Sequence, residues 1–109
     1  MKYQHRDLAK GKWRKLTLME QMANVGSEVS RTIKWKKKDK KYAQMAFWRA
    51  LELLGLTIND PKNKAGLKEI CRAKEMLVDW YFDNPLYRSS DEEWQRYFNQ
   101  FNWAARIKR

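Results

Sequence analysis

Lysines and aromatic residues at close spacing are the side chains of this sequence that most clearly predict chemistry. Residues 34–41 read KWKKKDKK, which places six lysines and one aspartate around a single tryptophan. Residues 1–15 form a second basic segment, interleaved with Tyr3 and Trp13. Ammonium groups neutralise phosphates, and aromatic rings stack on nucleobases. The side chains predicted to contact nucleic acid are Lys10, Lys12, Arg14, Lys15, Lys34, Trp35, Lys36, Lys37, Lys38, Lys40 and Lys41.

The distribution of charge supports a polyanionic partner. The formal net charge is +11, and residues 1–41 alone hold 13 Lys and Arg against four acids. Basic character confined to one part of a chain is typical of an electrostatic binding surface. Alternatives stay open: the lysines could serve solubility only, with Leu8 and Trp13 packed on the protein. Trp35 could fold onto the core or stack on a base.

Side chains for catalysis or metal binding are scarce. The chain has one histidine, His5, and one cysteine, Cys71, and they are too far apart in sequence to predict a ligand pair. Cys71 also falls on an apolar helical face, which is typical of a small core residue. The four glycines are scattered and form no phosphate-binding loop. We therefore predict no catalytic residue, no metal site, no cofactor and no enzymatic activity.

Two charged residues, Arg49 and Lys74, fall among the apolar residues of their helices. Arg49 shares a helical face with Tyr42 and Met45, and a buried charge is costly unless it is paired. We predict a buried ion pair between Arg49 and Glu28, with Glu75 as the alternative partner. The other interpretations are a side chain that extends to solvent and a cleft between helices that binds phosphate.

Three tryptophans fall outside the main apolar stripes of their helices. Trp48, Trp80 and Trp103 could together form an exposed aromatic surface, which is typical of protein interfaces. We predict that they contribute to the interface of a homo-oligomer or to a contact with a protein partner. The alternative is that some of them belong to the core, because helices in a small bundle bury more than one face.

Four helices must position these residues, and two of them have clear start signals. Thr17 with Glu20, and Ser90 with Glu93, have the spacing of a capping box. Between them we expect helices over residues 42–58 and 64–83, because the prolines at positions 61 and 85 cannot continue a helix. The sequence predicts an all-α, up-down-up-down four-helix bundle over residues 17–109, preceded by a basic N-terminal arm over residues 1–16.

The second helix is predicted to be the most buried. One apolar stripe consists of Tyr42, Met45, Ala46, Leu53 and Leu56, and the other of Phe47, Leu51, Leu54 and Ile58. A helix that is apolar over this much of its circumference must be covered by several neighbours. In the first helix, Gly26 lies at the edge of the apolar stripe and predicts the close approach of another helix. A kink in the helix is the other possibility.

The compartment follows from hydropathy and cysteine content. No apolar run approaches the roughly 20 residues of a membrane span, and a single cysteine fits a reducing compartment. We expect a cytoplasmic protein that does not associate with membranes.

The length, the four short helices and the positive charge resemble the small basic accessory proteins of diversity-generating retroelements. The resemblance covers the layout of residues 17–107 and implies a four-helix bundle that forms rings and binds a reverse transcriptase and nucleic acid. It depends on overall pattern and transfers no site to an individual residue. The chain also resembles a nucleotide-binding helical-bundle family of prokaryotic toxins. That family's ribonucleases carry an Arg–His pair, which this chain lacks, so the second resemblance implies no nuclease activity.

These observations predict a small basic protein that binds nucleic acid, with RNA favoured, through its lysine-rich segments. It would act as a non-catalytic accessory to a larger complex, with a protein partner such as a reverse transcriptase. The alternative is a protein-interaction or antitoxin-like module whose lysines serve solubility only.

Overall fold

The computed structural model describes residues 11–82 and 89–107, and within these ranges the chain is all-α with no strand. The long helices are α1 (Leu18–Trp35), α2 (Lys40–Ile58), α3 (Leu67–Tyr81) and α4 (Asp91–Ile107). A 3₁₀ helix, Pro61–Gly66, connects α2 to α3. The predicted fold class is therefore confirmed.

Both predicted capping boxes are formed. The Thr17 hydroxyl accepts from the Glu20 N–H at 3.1 Å, and the Glu20 carboxylate accepts from the Thr17 N–H at 2.9 Å. Ser90 and Glu93 exchange the same two bonds at 3.1 and 2.9 Å before α4. These bonds satisfy backbone N–H groups that have no partner inside a helix. The four residues of each capping box therefore mark a helix start that can be recognised in the sequence.

The boundaries of the middle helices differ from those predicted. Asp39 caps α2, which therefore begins at Lys40, two residues earlier than expected. Residues 61–66 form the 3₁₀ helix, capped by Asp60, so the α-helix begins at Leu67 instead of at residue 64. Helix α3 ends at Tyr81, and its predicted end at residue 83 lies outside the described residues.

Side-chain contacts show how α1 runs relative to α2 and α4, and where α2 meets α3. Gln21 near the start of α1 bonds Asp60 just after the end of α2, so α1 and α2 are antiparallel. Ser30 in α1 bonds Gln95 near the start of α4 at 2.9 Å. The rings of Phe47 in α2 and Tyr81 at the end of α3 stack with centroids 4.0 Å apart.

The core lies where α1 packs against both α2 and α4. Its buried apolar side chains are Met22, Val25, Val29, Phe47, Ala50, Leu54, Ile70, Leu77, Trp80, Trp94, Phe98 and Phe101. Helix α4 approaches α1 closely at Gly26, since an added Cβ would lie 2.7 Å from the Phe98 Cβ. The predicted close approach at Gly26 is confirmed.

The buried face of α2 differs from the prediction. Its buried residues are Ala43, Ala46, Phe47, Ala50, Leu54 and Thr57. Tyr42 is 58% exposed and Met45 is 43% exposed, although both were expected in a buried stripe. The spacing of residues 43, 47, 50, 54 and 57 is the seam of two closely packed helices. Ala43 and Ala50 are small side chains in this buried set, whereas Leu53 and Leu56 of the predicted stripe are only half-buried.

Candidate nucleic-acid interface

The lysine-rich turn (residues 34–41) joins α1 to α2. Helix α1 ends at Trp35, and the N–H groups of Lys38 and Asp39 bond back to the Trp35 carbonyl at 3.0 and 2.8 Å. Helix α2 begins at Lys40. The turn is therefore compact, and it gathers six lysines at one end of the α1–α2 pair. Five of them are exposed, namely Lys34, Lys37, Lys38, Lys40 and Lys41.

These lysines are not neutralised within the described part of the chain. The ion pairs found there join Arg31 to Glu28 and Lys62 to Asp60, and neither involves the turn. The Asp39 carboxylate accepts from the N–H groups of Lys41 and Tyr42 at 3.0 and 3.3 Å, as a helix cap. Lysines in the first turn of a helix also oppose the positive end of the helix dipole. The lysine cluster at the start of α2 is therefore unfavourable for the isolated helix.

Two aromatic rings lie beside these charges. The Trp35 and Tyr42 rings are 5.4 Å apart and tilted by 38°, and the Lys34 ammonium lies 5.7 Å from the Trp35 ring centre. Trp35 is half-buried against Tyr42 rather than inserted in the core. Sequence reasoning placed Tyr42 in a buried stripe and so missed it as a surface residue. Its position next to the lysine run was the signal that could have identified it.

The predicted interface tryptophans are not gathered into one exposed surface. Trp80 was predicted to lie at an interface, and this is wrong, because Trp80 is only 4% exposed. Its Nε1–H donates to Asp91 at 2.9 Å, so the start of α4 covers it. Trp48 is half-buried, with its ring 6.1 Å from that of Phe47. Trp103 is 68% exposed and is the one of the three that stands clear of the protein.

Lys36 differs from the other lysines of the turn. Its ammonium lies over the Trp80 ring, 4.4 Å from the ring centre, and the residue is half-buried. This cation–π contact fixes the direction of the Lys36 side chain. It also connects the lysine-rich turn to the aromatic side chains between α3 and α4.

The second basic segment lies at the opposite end of α1. Lys12, Arg14 and Lys15 are exposed, and Lys10 lies outside the described residues. Trp13 is buried, and its Nε1–H donates to the Thr57 hydroxyl at 3.1 Å. The alternative in which Trp13 packs on the protein is therefore the observed one. Since α1 is 18 residues long, about 27 Å separate the two basic segments.

A buried polar network holds this opposite end together. The Gln21 amide donates to the Trp13 carbonyl and to the Asp60 carboxylate, both at 2.9 Å. The Asn63 amide donates to the Gln21 side chain at 2.7 Å and to the Thr57 carbonyl at 2.9 Å. We call Trp13, Gln21, Thr57, Asp60 and Asn63 the polar network. Sequence reasoning missed it, although Gln21 is three residues after Leu18 and so shares the apolar side of α1.

Charge is stabilised inside this network. Burial by itself would raise the pKa of Asp60, but hydrogen bonds donated by Lys62 and Gln21, together with the Lys62 charge, lower that pKa below its ordinary value of 3.8. The Lys62 ammonium also donates to the Arg14 carbonyl at 3.1 Å. The buried polar groups of the network are thus bonded to one another, which is typical of a structural role.

The predicted Arg49–Glu28 ion pair is not formed. Glu28 pairs with Arg31 on the same helix, at 3.2 Å, because residues three apart in a helix are neighbours. Arg49 is half-buried at the side of α2. Helical wheels place Arg49 on an apolar stripe, but the Tyr42 and Met45 side chains of that stripe are exposed.

The fold and this surface define a small all-α protein with a lysine-rich turn between two antiparallel helices. Comparison with protein-family models, with curated proteins and with solved structures finds no match. None of the helices in residues 11–82 and 89–107 is both long and apolar enough to cross a membrane. Function must therefore be argued from the chemistry of the site.

Proposed function

We propose that this protein is an up-down-up-down four-helix bundle that binds nucleic acid, with RNA favoured, through the lysine-rich turn. One observation carries the proposal. The six lysines of the turn form no ion pair with any described residue, and they lie beside the exposed Tyr42 ring and the half-buried Trp35 ring. The protein acts as a non-catalytic accessory to a larger complex, such as one built on a reverse transcriptase.

The combination of charge and rings supports a single strand over a duplex. Lysines bind the phosphate backbone of either, but the faces of bases in a duplex are covered by their neighbours. A tilted pair of rings offers faces on which unstacked bases can lie, and such stacking is worth about 1–3 kcal/mol per base. Phosphate contacts position a strand without reading its sequence, so we expect weak sequence preference.

The lysine-rich turn is the primary contact, and the segment around Lys12, Arg14 and Lys15 is a secondary one. About 27 Å separate them along α1, so a strand must run the length of the helix to reach both. If six to ten phosphates are neutralised, the affinity falls by roughly 10³ to 10⁵ between 50 and 200 mM salt.

The test is a fluorescence-anisotropy titration with a labelled single-stranded RNA and a duplex DNA at two salt concentrations. Lys37→Gln/Lys38→Gln alters the turn, and Lys64→Gln/Lys68→Gln is the matched control, because it removes the same charge from exposed lysines elsewhere. We expect the turn variant to bind RNA more weakly and to reduce the salt slope by about two. The control should retain most of the affinity. Equal effects of the two variants, or no RNA binding by wild type at the lower salt, would overturn the proposal.

A protein-interaction module is the second candidate, and one surface feature favours it. Trp103 is 68% exposed and Ile107 is 55% exposed, and residues four apart in α4 lie on one face. Exposed aromatic side chains with apolar neighbours often mark protein interfaces. We place a homo-oligomer contact, or the contact with the larger complex, on this face.

Light scattering separates the two candidates. The interaction function predicts that Trp103→Ala lowers the mass of the assembly, or abolishes capture of a protein partner, while Lys37→Gln/Lys38→Gln has no effect. Nucleic-acid binding predicts the reverse for RNA affinity. A monomeric wild type at all concentrations would remove the homo-oligomer from the proposal and leave RNA binding to be judged by anisotropy.

A further inference from the structure

The outer stripe of α2 consists of five residues, none of which is fully buried, namely Tyr42, Met45, Arg49, Glu52 and Leu56. Tyr42 is 58% exposed and Met45 is 43% exposed, and the other three are half-buried. On a helical wheel the five lie within a sector of roughly 80°, beside the face of α2 that packs in the core. Their spacing of three, four, three and four residues is the heptad spacing by which one helix packs along another. The stripe is therefore a helix-packing surface that is open to solvent at Tyr42 and Met45.

Two opposite charges lie near the middle of this stripe. Neither Arg49 nor Glu52 belongs to an ion pair within residues 11–82 and 89–107. Neither residue is among those with a buried polar atom that lacks a hydrogen-bond partner, so the charged groups of both reach the surface. Because neighbouring side chains already displace part of their water, these charges are suited to pairing with opposite charges from outside the chain.

A second copy of the same helix supplies those opposite charges. When two copies of α2 pack antiparallel about a two-fold axis midway between Arg49 and Glu52, Arg49 faces the partner's Glu52, and the symmetry repeats this pair. The same register places Met45 against the partner's Leu56, again twice. The middle of the contact then has two ion pairs, and each end has an apolar pair. The stripe is therefore complementary to itself.

The distribution of charge favours the antiparallel arrangement over the parallel one. Each copy has a net charge of +11, with six lysines in the turn that precedes α2. Parallel helices would place the two lysine-rich turns side by side. Antiparallel helices separate the turns by about 30 Å, since the start of each α2 lies about ten residues from the axis. That separation is several times the Debye length of about 8 Å at physiological ionic strength, so the repulsion between the turns is largely screened.

Tyr42 remains available to the lysine-rich turn in this register. Asn59 is the exposed C-cap of α2, and the partner's Asn59 faces Tyr42 at the edge of the contact. The ring pair of Tyr42 and Trp35 is therefore compatible with the dimer.

We propose that the outer stripe of α2 binds a second copy of this chain, in an antiparallel two-fold dimer. The inference goes beyond the proposed function and does not depend on RNA binding. The contact is also distinct from the face of α4 that carries Trp103, which is then left for the larger complex. Because one helix from each copy forms it, we expect a contact smaller than the roughly 1,600 Å² of a standard interface, and a dimer that forms reversibly at micromolar or higher concentration.

The test is sedimentation equilibrium on RNA-free protein, from micromolar to millimolar concentration, with variants that each reverse one charge. In Arg49→Glu the two ion pairs become pairs of acids, and in Glu52→Arg they become pairs of bases. We expect each variant alone to dimerise more weakly than wild type by about a hundredfold or more, because like charges then face one another. An equimolar mixture brings an acidic stripe against a basic one. The mixture should therefore form heterodimers with an affinity close to that of wild type.

Arg72→Glu is the matched control. Arg72 and Glu75 on α3 have the same residue types and spacing as Arg49 and Glu52, and both are exposed. The control changes the net charge by the same amount as Arg49→Glu, so its self-association should remain close to that of wild type. The comparison separates the effect of net charge from the effect of the outer stripe.

Loss of the dimer in both single variants, together with its return in the mixture, supports the proposal. A wild type that stays monomeric at millimolar concentration overturns it, and so does a dimer that Arg49→Glu and Arg72→Glu affect equally. A mixture that does not associate contradicts the antiparallel register. If Trp103→Ala dissociates the dimer and Arg49→Glu does not, the contact lies on α4 and the proposal fails. None of these outcomes changes the RNA titrations, so RNA binding is judged separately.

Met45→Glu is a second variant, chosen because it should not disturb folding. Met45 is exposed, so the melting temperature should stay close to that of wild type. In the dimer the substitution places a carboxylate against the partner's Leu56, and we expect association to be lost. Melting temperatures of all variants are measured first, so that a folding defect is not mistaken for loss of the contact. A folded Met45→Glu protein that dimerises like wild type would contradict the assignment.

Discussion

Both ends of the α1–α2 pair carry basic residues, but the polar side chains at the two ends differ in burial and in hydrogen bonding. At one end, the polar network is buried and its members bond one another, with Lys62 bonded to Asp60. At the other end, five of the six lysines of the turn are exposed, and none of the six has an ion pair among the described residues. A count of positive charges does not distinguish these ends. What distinguishes them is whether the polar groups are already satisfied by the protein itself.

The difference has a physical basis. A buried polar group must find a partner within the protein, because its loss of water costs about 1–3 kcal/mol. An exposed ammonium keeps its water and can exchange it for a phosphate later. The polar network is therefore expected to stabilise the fold, and the lysine-rich turn is expected to be free for a partner.

The largest effect on stability is expected from Gln21→Ala. The substitution removes the three hydrogen bonds of the Gln21 side chain, those that it donates to the Trp13 carbonyl and to Asp60 and the one that it accepts from Asn63. We expect the free energy of unfolding to fall by about 3 kcal/mol or more. Urea denaturation measures it, and Gln44→Ala, at an exposed position of α2, is the control expected to lie within about 0.5 kcal/mol of wild type. Equal losses for the two variants would mean that the network is not structural.

A pair of tryptophan variants sharpens the comparison. Trp13→Phe removes the hydrogen bond to Thr57 and should lower the free energy of unfolding by about 1–2 kcal/mol. Trp35→Phe, at the lysine-rich turn, should change stability by less than that but weaken RNA binding. Thermal melts measure the stability of both variants, and fluorescence anisotropy measures their RNA affinity. The comparison fails if Trp35→Phe proves the more destabilising of the two.

Acid should weaken the polar network and spare the turn. Because the pKa of folded Asp60 lies below its ordinary 3.8, the ionised carboxylate stabilises the fold above that pH, and this contribution is lost as pH falls through the folded-state pKa. We expect the difference in melting temperature between wild type and Asp60→Asn to be constant near neutral pH and to shrink below about pH 3.8. A difference that does not depend on pH would show that the charge of Asp60 is unimportant.

The smallest effect on stability is expected from Lys37→Gln. Lys37 is exposed and has no ion pair within residues 11–82 and 89–107, so the free energy of unfolding should remain within about 0.5 kcal/mol of wild type. The same substitution should lower the affinity for RNA. A loss of more than about 1 kcal/mol in urea denaturation would place Lys37 in the structural class with Gln21.

Local features of the fold were predictable from sequence. The capping boxes at Thr17 and Ser90 formed as expected, because each needs only residues three apart. Gly26 predicted the close approach of another helix, because a glycine at the edge of an apolar stripe leaves room for a neighbouring helix. The lysine-rich turn was also predictable as a surface, since no core can accommodate six adjacent lysines.

Features that depend on which helices meet were not predictable. Trp80 was expected at an interface and is buried, because the start of α4 covers it. Tyr42 was expected in the core and is exposed, because α1 packs on the neighbouring stripe of α2. Glu28 found its partner within its own helix instead of on α2. The burial of Trp80 and the exposure of Tyr42 depend on contacts between segments far apart in sequence, and a helical wheel shows only the residues of one helix.

Trp13 and Trp35 separate what the sequence alone determines from what the tertiary structure decides. Both are tryptophans among basic residues, and their surroundings in sequence predict the same interleaved charge and aromaticity. The sequence determined the starts of α1 and α4, the all-α class and the location of the positive charge, because these depend on neighbours within one or two helical turns. Only the tertiary structure decided that Trp13 is buried on Thr57 while Trp35 lies at the surface with Tyr42. Burial depends on the surface that another helix brings to a side chain, and that surface exists only once the chain has folded.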